Sequence, residues 1–146
     1  MAMEPRISLV TLGVDDLDRA AAFYAAMGLS RNGKFTDGVA FYQMGGLILA
    51  LWPRAELARD AGLSAGAGAR SGFSGVALAY NTRSEDEVAQ VLAMAGKAGG
   101  RVLKPAGRAV WGGMQGYFED TEGNLWEVAH NPDFAIDEEG RISLPQ

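Results

Sequence analysis

The sequence predicts an α+β fold built from two consecutive β-α-β-β-β units. Three observations lead there. A strand-like run followed by a capped amphipathic stretch occurs twice, once from residue 9 and again from residue 75. Each stretch is followed by two strand-like runs joined through a glycine-containing turn, "FYQMGGLILALW" and "YFEDTEGNLWEVA". The 146 residues also suit one compact domain with its own core. Mixed sheets follow from this order, as one domain over 1–146: a unit over 6–52, a linker over 53–72, a unit over 73–130 and a tail over 131–146.

The first unit opens with "LVTLGV". Strict alternation turns Val10, Leu12 and Val14 one way and Leu9, Thr11 and Gly13 the other. Asp15 and Asp16 can cap a helix in which Leu17, Ala20, Ala21, Tyr24 and Met27 recur at helical spacing, and Gly28 stops it. Three strands follow near 31–35, 39–44 and 47–52. In the last, Ile48, Ala50 and Trp52 share one face, and Leu49 and Leu51 the other. The stretch "PRAELARDAGLSAGAGARSG" begins as a short helix and ends as a Gly/Ala/Ser connector. Its glycines lack the strand-then-helix setting of a phosphate loop.

The second unit opens with "GVALAY", which sets Val76, Leu78 and Tyr80 against Gly75, Ala77 and Ala79. "SEDE" reads as a capping box, and Val88, Val91, Leu92 and Ala95 form the apolar stripe of the next helix. Strands are expected near 101–103, 115–119 and 124–129. In the final strand Leu125, Glu127 and Ala129 face one way, and Trp126 and Val128 face the other. The tail "NPDFAIDEEGRISLPQ" has a turn at "DEEG" between two short apolar runs, the pattern of a small hairpin.

Composition removes several function classes. With no cysteine there are no disulfides, thiolate nucleophiles or cysteine metal sites. The net charge is −5 without a basic stripe, so nucleic acid is not an expected partner. No apolar run is long enough for a membrane span, and no signal-peptide pattern opens the chain, so a cytoplasmic location is expected. The single histidine, His130, ends the last strand beside Pro132, where packing or capping explains it.

Two segments carry a resemblance. "VTLGVDDLDRAAAFYAAMGL" resembles the opening, and "YFEDTEGNLWEV" the closing hairpin, of the vicinal oxygen chelate superfamily, which includes glyoxalases, extradiol dioxygenases and bleomycin- and fosfomycin-resistance proteins. The resemblance runs from about residue 6 to 130. That family usually has Pro and Asp where Thr121 and Glu122 stand. It implies sheets curled around a cup, chains commonly paired as homodimers, and a metal held by one residue from each of four strands. Those positions here are Leu9, Ala50, Gly75 and Glu127. Only Glu127 carries a donor, whereas a catalytic divalent ion needs about three protein ligands, so neither metal nor other cofactor is expected.

The expected cup is apolar and floored with small residues: Leu9, Thr11, Ile48, Ala50, Trp52, Gly75, Ala77, Ala79, Leu125, Glu127 and Ala129. Such a lining suits a small hydrophobic or aromatic ligand, including a cationic one. Trp111, flanked by glycines, either lays its ring over that ligand or packs on the hairpin. Tyr117 and Gln43 are further candidates. Alternation puts no lysine or arginine on the inward face, so Glu127 must find donors elsewhere to stay charged. The first functional reading is a metal-free binding protein. The second is a metal-independent lyase or isomerase with Glu127 as catalytic acid or base. A metal-dependent glyoxalase or dioxygenase ranks third.

Overall fold

The computed structural model describes residues 1–63 and 72–146. In chain order the elements are β1 (Leu9–Val14), α1 (Leu17–Ala26), β2 (Ala40–Met44), β3 (Leu47–Pro53), α2 (Arg54–Asp60), β4 (Leu78–Asn81), α3 (Glu85–Lys97), β5 (Arg101–Arg108), β6 (Met114–Glu119), β7 (Leu125–His130), β8 (Ala135–Ile136) and β9 (Ile142–Ser143). The α+β class and the mixed sheets are as expected. One sheet has the order β1-β3-β2 and the other β4-β7-β6-β5, with β1–β3 and β4–β7 parallel. No ladder joins the two sheets among the described residues, so the chain alone does not close them. The tail forms the expected hairpin, β8 with β9. The short helix in the linker is α2, and the connector over 64–71 lies outside the described residues. Among the described residues no helix is long and apolar enough to cross a membrane.

Three boundaries differ from expectation, each for a local reason. Residues 31–35 form no strand. The Asn32 side chain accepts from the Lys34 and Phe35 amides, and the Arg31 guanidinium donates to the Thr36 and Val39 carbonyls. These side-chain bonds take the backbone groups a ladder would need. Its counterpart β5 runs longer, to Arg108, and holds Pro105 because it is an edge strand. β4 begins only at Leu78, since Gly75 has a φ of 87°, which breaks the extended run.

Both units bury the same kind of face into one core. Leu12 and Val14 of β1, Leu49 and Leu51 of β3, Phe23 and Tyr24 of α1, Val88 and Leu92 of α3, and Phe118, Trp126 and Val128 of the second sheet form a single cluster. The helix starts follow their caps. The Asp16 carboxylate accepts from the Arg19 amide at 3.0 Å. At α3 the expected capping box does not form: the Ser84 side chain makes no cap bond, and Glu87 accepts from the amide of Arg83, one residue before the cap, rather than from that of Ser84. Gly116 lets the layers close. A Cβ there would lie 2.4 Å from Leu92 Cδ1 and 2.7 Å from the Lys104 carbonyl oxygen.

The turn between β6 and β7 fastens the units together. Asp120 accepts from the amides of Glu122 and Asn124 and from the Tyr24 hydroxyl at 2.6 Å. The Tyr24 oxygen in turn accepts from the Trp126 indole at 3.1 Å. Burial, then the Asp120 carboxylate, pushes the Tyr24 phenol well above its ordinary range. Glu122, fully buried, accepts from the Asp15 and Asp16 amides at the start of α1, from Arg19 at 2.7 and 3.1 Å, and from the Thr121 hydroxyl.

Burial opposes the Glu122 charge. The Arg19 guanidinium, the Asp16 amide, the Thr121 hydroxyl and the Asp15 amide outweigh it and bring its pKa down to about 2. A carboxylate whose folded pKa is depressed contributes stability that is present above its unfolded value and lost as pH falls toward the folded one. Stability should therefore decline between roughly pH 4.5 and pH 2, by an amount on the order of 3 kcal/mol from this group. Urea unfolding across that window checks it: Glu122→Gln should be less stable than the parent at neutral pH and should show a shallower acid slope.

Candidate functional site

The site is built on the face of the second sheet that turns away from the core. In the β6–β7 ladder Gln115 is opposite Ala129, Tyr117 opposite Glu127, and Glu119 opposite Leu125. With Phe118, Trp126 and Val128 committed to the core, these six residues share the outward face. Ala79 joins them, opposite Glu127 across the β4–β7 ladder.

Glu127 is half-buried and held on one oxygen. Its Oε2 accepts from the Gln115 amide nitrogen in a short bond and from the Tyr117 hydroxyl at 3.3 Å. Its Oε1 receives no hydrogen bond among the described residues. Lys104 completes the network, its Nζ donating to Gln115 Oε1 at 3.3 Å and standing 6.0 Å from the Tyr117 ring centre. Gln115 thus has its amide oriented at both ends, oxygen toward the ammonium and nitrogen toward the carboxylate. The Tyr117 phenol is pushed up by burial, then by the charge and hydrogen bond of Glu127.

Lys104 is a cation that alternation did not place here. β5 continues past residue 103, and its register shifts between Val102, opposite Phe118, and Lys104, opposite Tyr117. Without that bulge Lys104 would fall opposite Gly116, on the core side. Neither Gln115 nor Lys104 is among the sequence candidates; the period of two could have found Gln115, which lies two residues from Tyr117 on the same strand, but not Lys104.

The candidates of the first unit form a second patch. Leu9 is opposite Ile48, Thr11 opposite Ala50, and Gly13 opposite Trp52, so Leu9, Thr11, Ile48, Ala50 and Trp52 share the outward face of the first sheet. Arg54 of α2 packs over Gly13, where a Cβ would meet Arg54 Cγ at 3.2 Å. Gln43 donates to the Gly45 and Leu47 carbonyls and so ties its own hairpin turn. This patch and the Glu127 face each look away from the shared core, and a single chain does not bring them together. Gly75 and Ala77 precede β4 and are exposed. Trp111 lies in the turn between β5 and β6, 46% exposed, with its ring over Gly113. His130 ends β7, its Nδ1 3.2 Å from the Thr82 carbonyl oxygen.

The donor set around Glu127 is one carboxylate, an amide oxygen already engaged by an ammonium, and a phenol. Leu9, Ala50 and Gly75 add no donor. These residues do not fit a divalent ion, which an adjacent lysine would also repel. What the arrangement offers instead is a fixed hydrogen-bond acceptor, Glu127 Oε1, bordered by apolar and small side chains.

Fold and motifs agree with known proteins. The Glyoxalase/Bleomycin resistance protein/Dioxygenase superfamily profile matches residues 6–128, and the chain belongs to that superfamily. Among solved structures it is similar to a glyoxalase-related enzyme from Fulvimarina pelagi, with 34% identity over 98% of this chain and 100% of that one and a TM-score of 0.88. It is also similar to a lactoylglutathione lyase from Agrobacterium tumefaciens, with 26% identity, coverage of 88% and 96%, and a TM-score of 0.65. A glyoxalase/bleomycin resistance protein/dioxygenase family enzyme from Burkholderia phytofirmans PsJN, 18% identical over 84% of this chain and 96% of that one with a TM-score of 0.75, shares the fold. A search of the curated proteins finds no significant match.

The Tyr117–Glu127 contact has a spectroscopic consequence. The carboxylate disfavours a neighbouring phenolate, so removing its charge lowers the pH at which Tyr117 ionises. In Glu127→Gln the Tyr117 transition, isolated by subtracting the Tyr117→Phe titration in the same background, should move to lower pH. An unmoved transition would mean that the two groups do not interact in solution.

Proposed function

We propose that this chain is a metal-independent member of its superfamily that binds a small, largely hydrophobic or aromatic molecule, and that a second copy of the chain completes the site. The observation that carries this reading is Glu127: a carboxylate held by Gln115 and Tyr117 through one oxygen, with the other unengaged, on an open face. The ligand presents a hydrogen-bond donor, neutral or cationic, to that oxygen and lays its apolar body on the small and aliphatic residues around it.

The pairing reading rests on the strand edges. β1 and β4 are each the outer strand of their sheet, with unpaired backbone groups, and Leu9 on β1 is 47% exposed. Pairing β1 of one copy with β4 of the other would set the Leu9, Thr11, Ile48, Ala50 and Trp52 patch beside the Glu127 face. The two half-sites would then form one cup. A second reading is a metal-independent lyase or isomerase in which Glu127 moves a proton. The unengaged oxygen favours it, as does likeness to a lactoylglutathione lyase.

Two measurements test the frame. Sedimentation at tens of micromolar should give a dimer, and a monomer would leave the two patches as unconnected faces. Protein loaded with zinc, iron, manganese or nickel and then dialysed should retain far less than one ion per chain, and a stoichiometric ion would overturn metal independence.

Glu127→Gln separates the two readings, because it keeps size and hydrogen bonding while removing charge and basicity. With a ligand found by native mass spectrometry, a binding role predicts a fall of about tenfold in affinity for a cationic ligand and little change for its neutral analogue. A proton-transfer role predicts intact binding and lost turnover. Unchanged binding and turnover would reduce Glu127 to a local structural bond.

A further inference from the structure

A cavity lies on the other side of the sheets, at the seam where the two units meet. It has a volume of about 250 Å³ and is open to solvent on one side. Met27, which caps the C-terminal end of α1, lines it with Met44 of β2, Val91 and Met94 of α3, Phe118 of β6 and Trp126 of β7. None of these residues lies on the outward face that carries Glu127. We propose that this seam cavity is a binding site for a small uncharged apolar molecule, aromatic or aliphatic, distinct from the Glu127 face and independent of the function proposed for it.

The walls exclude other occupants. Phe118 and Trp126, both in the wall, stack with ring planes 3° apart and centres 6.1 Å apart. The polar atoms of the wall are already used. The Trp126 indole donates to the Tyr24 hydroxyl, and that hydroxyl donates to Asp120. A buried water needs two to four polar partners, and these walls leave it none beyond the Tyr80 hydroxyl at the mouth. An apolar cavity of about 150 Å³ stays dry and takes up benzene, so the space here is ample for one substituted ring. A charged ligand would lose its hydration with nothing to replace it. Three methionines line the cavity, and their unbranched side chains adapt to guests of different outline. Met94, 43% exposed, and Tyr80, 50% exposed, border an opening to solvent.

Each unit supplies part of the wall, so an occupant bridges the seam. Binding to the folded form alone raises stability by mass action, and the gain is felt where the units join.

The test titrates toluene into the full-length ¹⁵N-labelled chain, with benzoate and benzylammonium as charged counterparts. Toluene should move the Trp126 indole N–H resonance saturably, leave those of Trp52 and Trp111 in place, and raise the melting temperature. The charged pair should bind at least tenfold more weakly. Val91→Phe fills the cavity and should weaken toluene binding at least tenfold. Met94→Glu, at an exposed position, puts a charge at the mouth and should do the same should the filled variant fail to fold. Toluene binding undiminished in both seam variants, shifts confined to Trp52 or Trp111, or equal binding of benzoate would overturn the proposal. So would loss of dimerisation in Met94→Glu, which would assign the opening to a second copy of the chain.

Discussion

Two buried carboxylates on one turn, Asp120 and Glu122, hold the second unit against the first. Glu122 closes the exposed amides at the start of α1, where the helix dipole favours a negative charge, and takes Arg19 as its counter-ion. Asp120 closes its own turn and reaches Tyr24 on the same helix. Burying two acids is costly, and net gain from such pairs is small at best. Their value is orientation. Glu122 cannot be satisfied unless the β6–β7 turn meets the start of α1 in this one arrangement, and Asp120, already bonded within its own turn, adds Tyr24 from farther along that helix. Tyr24 and Trp126 then meet in the middle of the core, and Phe23 packs near Phe118.

That constraint decides where chemistry can occur. Because both units turn their apolar faces into one core, the opposite faces of both sheets remain outside. A half-buried carboxylate is oriented by the donors that reach it. Glu127 has two, Gln115 and Tyr117, and the amide of Gln115 cannot turn away without breaking its bond to Lys104. The bulge in β5 is therefore more than an irregularity. It brings a second positive charge to a face where Arg101 already pairs with Glu119, and it does so on an edge strand, where an extra residue disrupts only one ladder.

Most of the fold was legible because alternation reports burial. Val14, Leu49, Leu51 and Val128 are buried where the period of two puts them, and Ile48 and Glu127 are only half-buried on the other face, although the small Ala50 and Ala129 are buried there and Val76 and Tyr80, expected to face the core with Leu78, are exposed. The helices were legible from their stripes and from Asp16. The misread segments share a cause: side chains or bulges override the period. Asn32 and Arg31 capture backbone groups that a strand near 31–35 would use, Gly75 adopts a left-handed φ, and the step from Val102 to Lys104 slips the register. The same limit applies to the candidate site. Glu127 and Tyr117 follow from periodicity, and Gln115, not among the candidates, shares their face by the same period, whereas Lys104 depends on a bulge that no residue pattern announces. Asp120 and Glu122 sit in a turn motif that fixes the fold, and their work as buried locks shows only when α1 is in place.

The two units share a plan but differ at the seam, and the difference accounts for its uneven packing. Near the β6–β7 turn, polar groups set the spacing: Tyr24, Asp120 and Trp126 sit at hydrogen-bond distance, which fixes side chains more narrowly than apolar contact does. Farther along, the facing residues are Met27, Met44, Val91 and Met94, and nothing polar dictates how closely they approach. The first unit also lacks the counterpart of β5, since its residues 31–35 touch β2 only through the Asn32 amide, which donates to the Phe41 carbonyl, and form no strand. A seam pinned by hydrogen bonds at one end and lined by flexible thioethers at the other closes fully only at the pinned end. The space left at the loose end is thus a consequence of how the units are locked, and it lies on the opposite side of the sheet from the only face where this chain sets a carboxylate, an amide, a phenol and an ammonium in one network among the described residues.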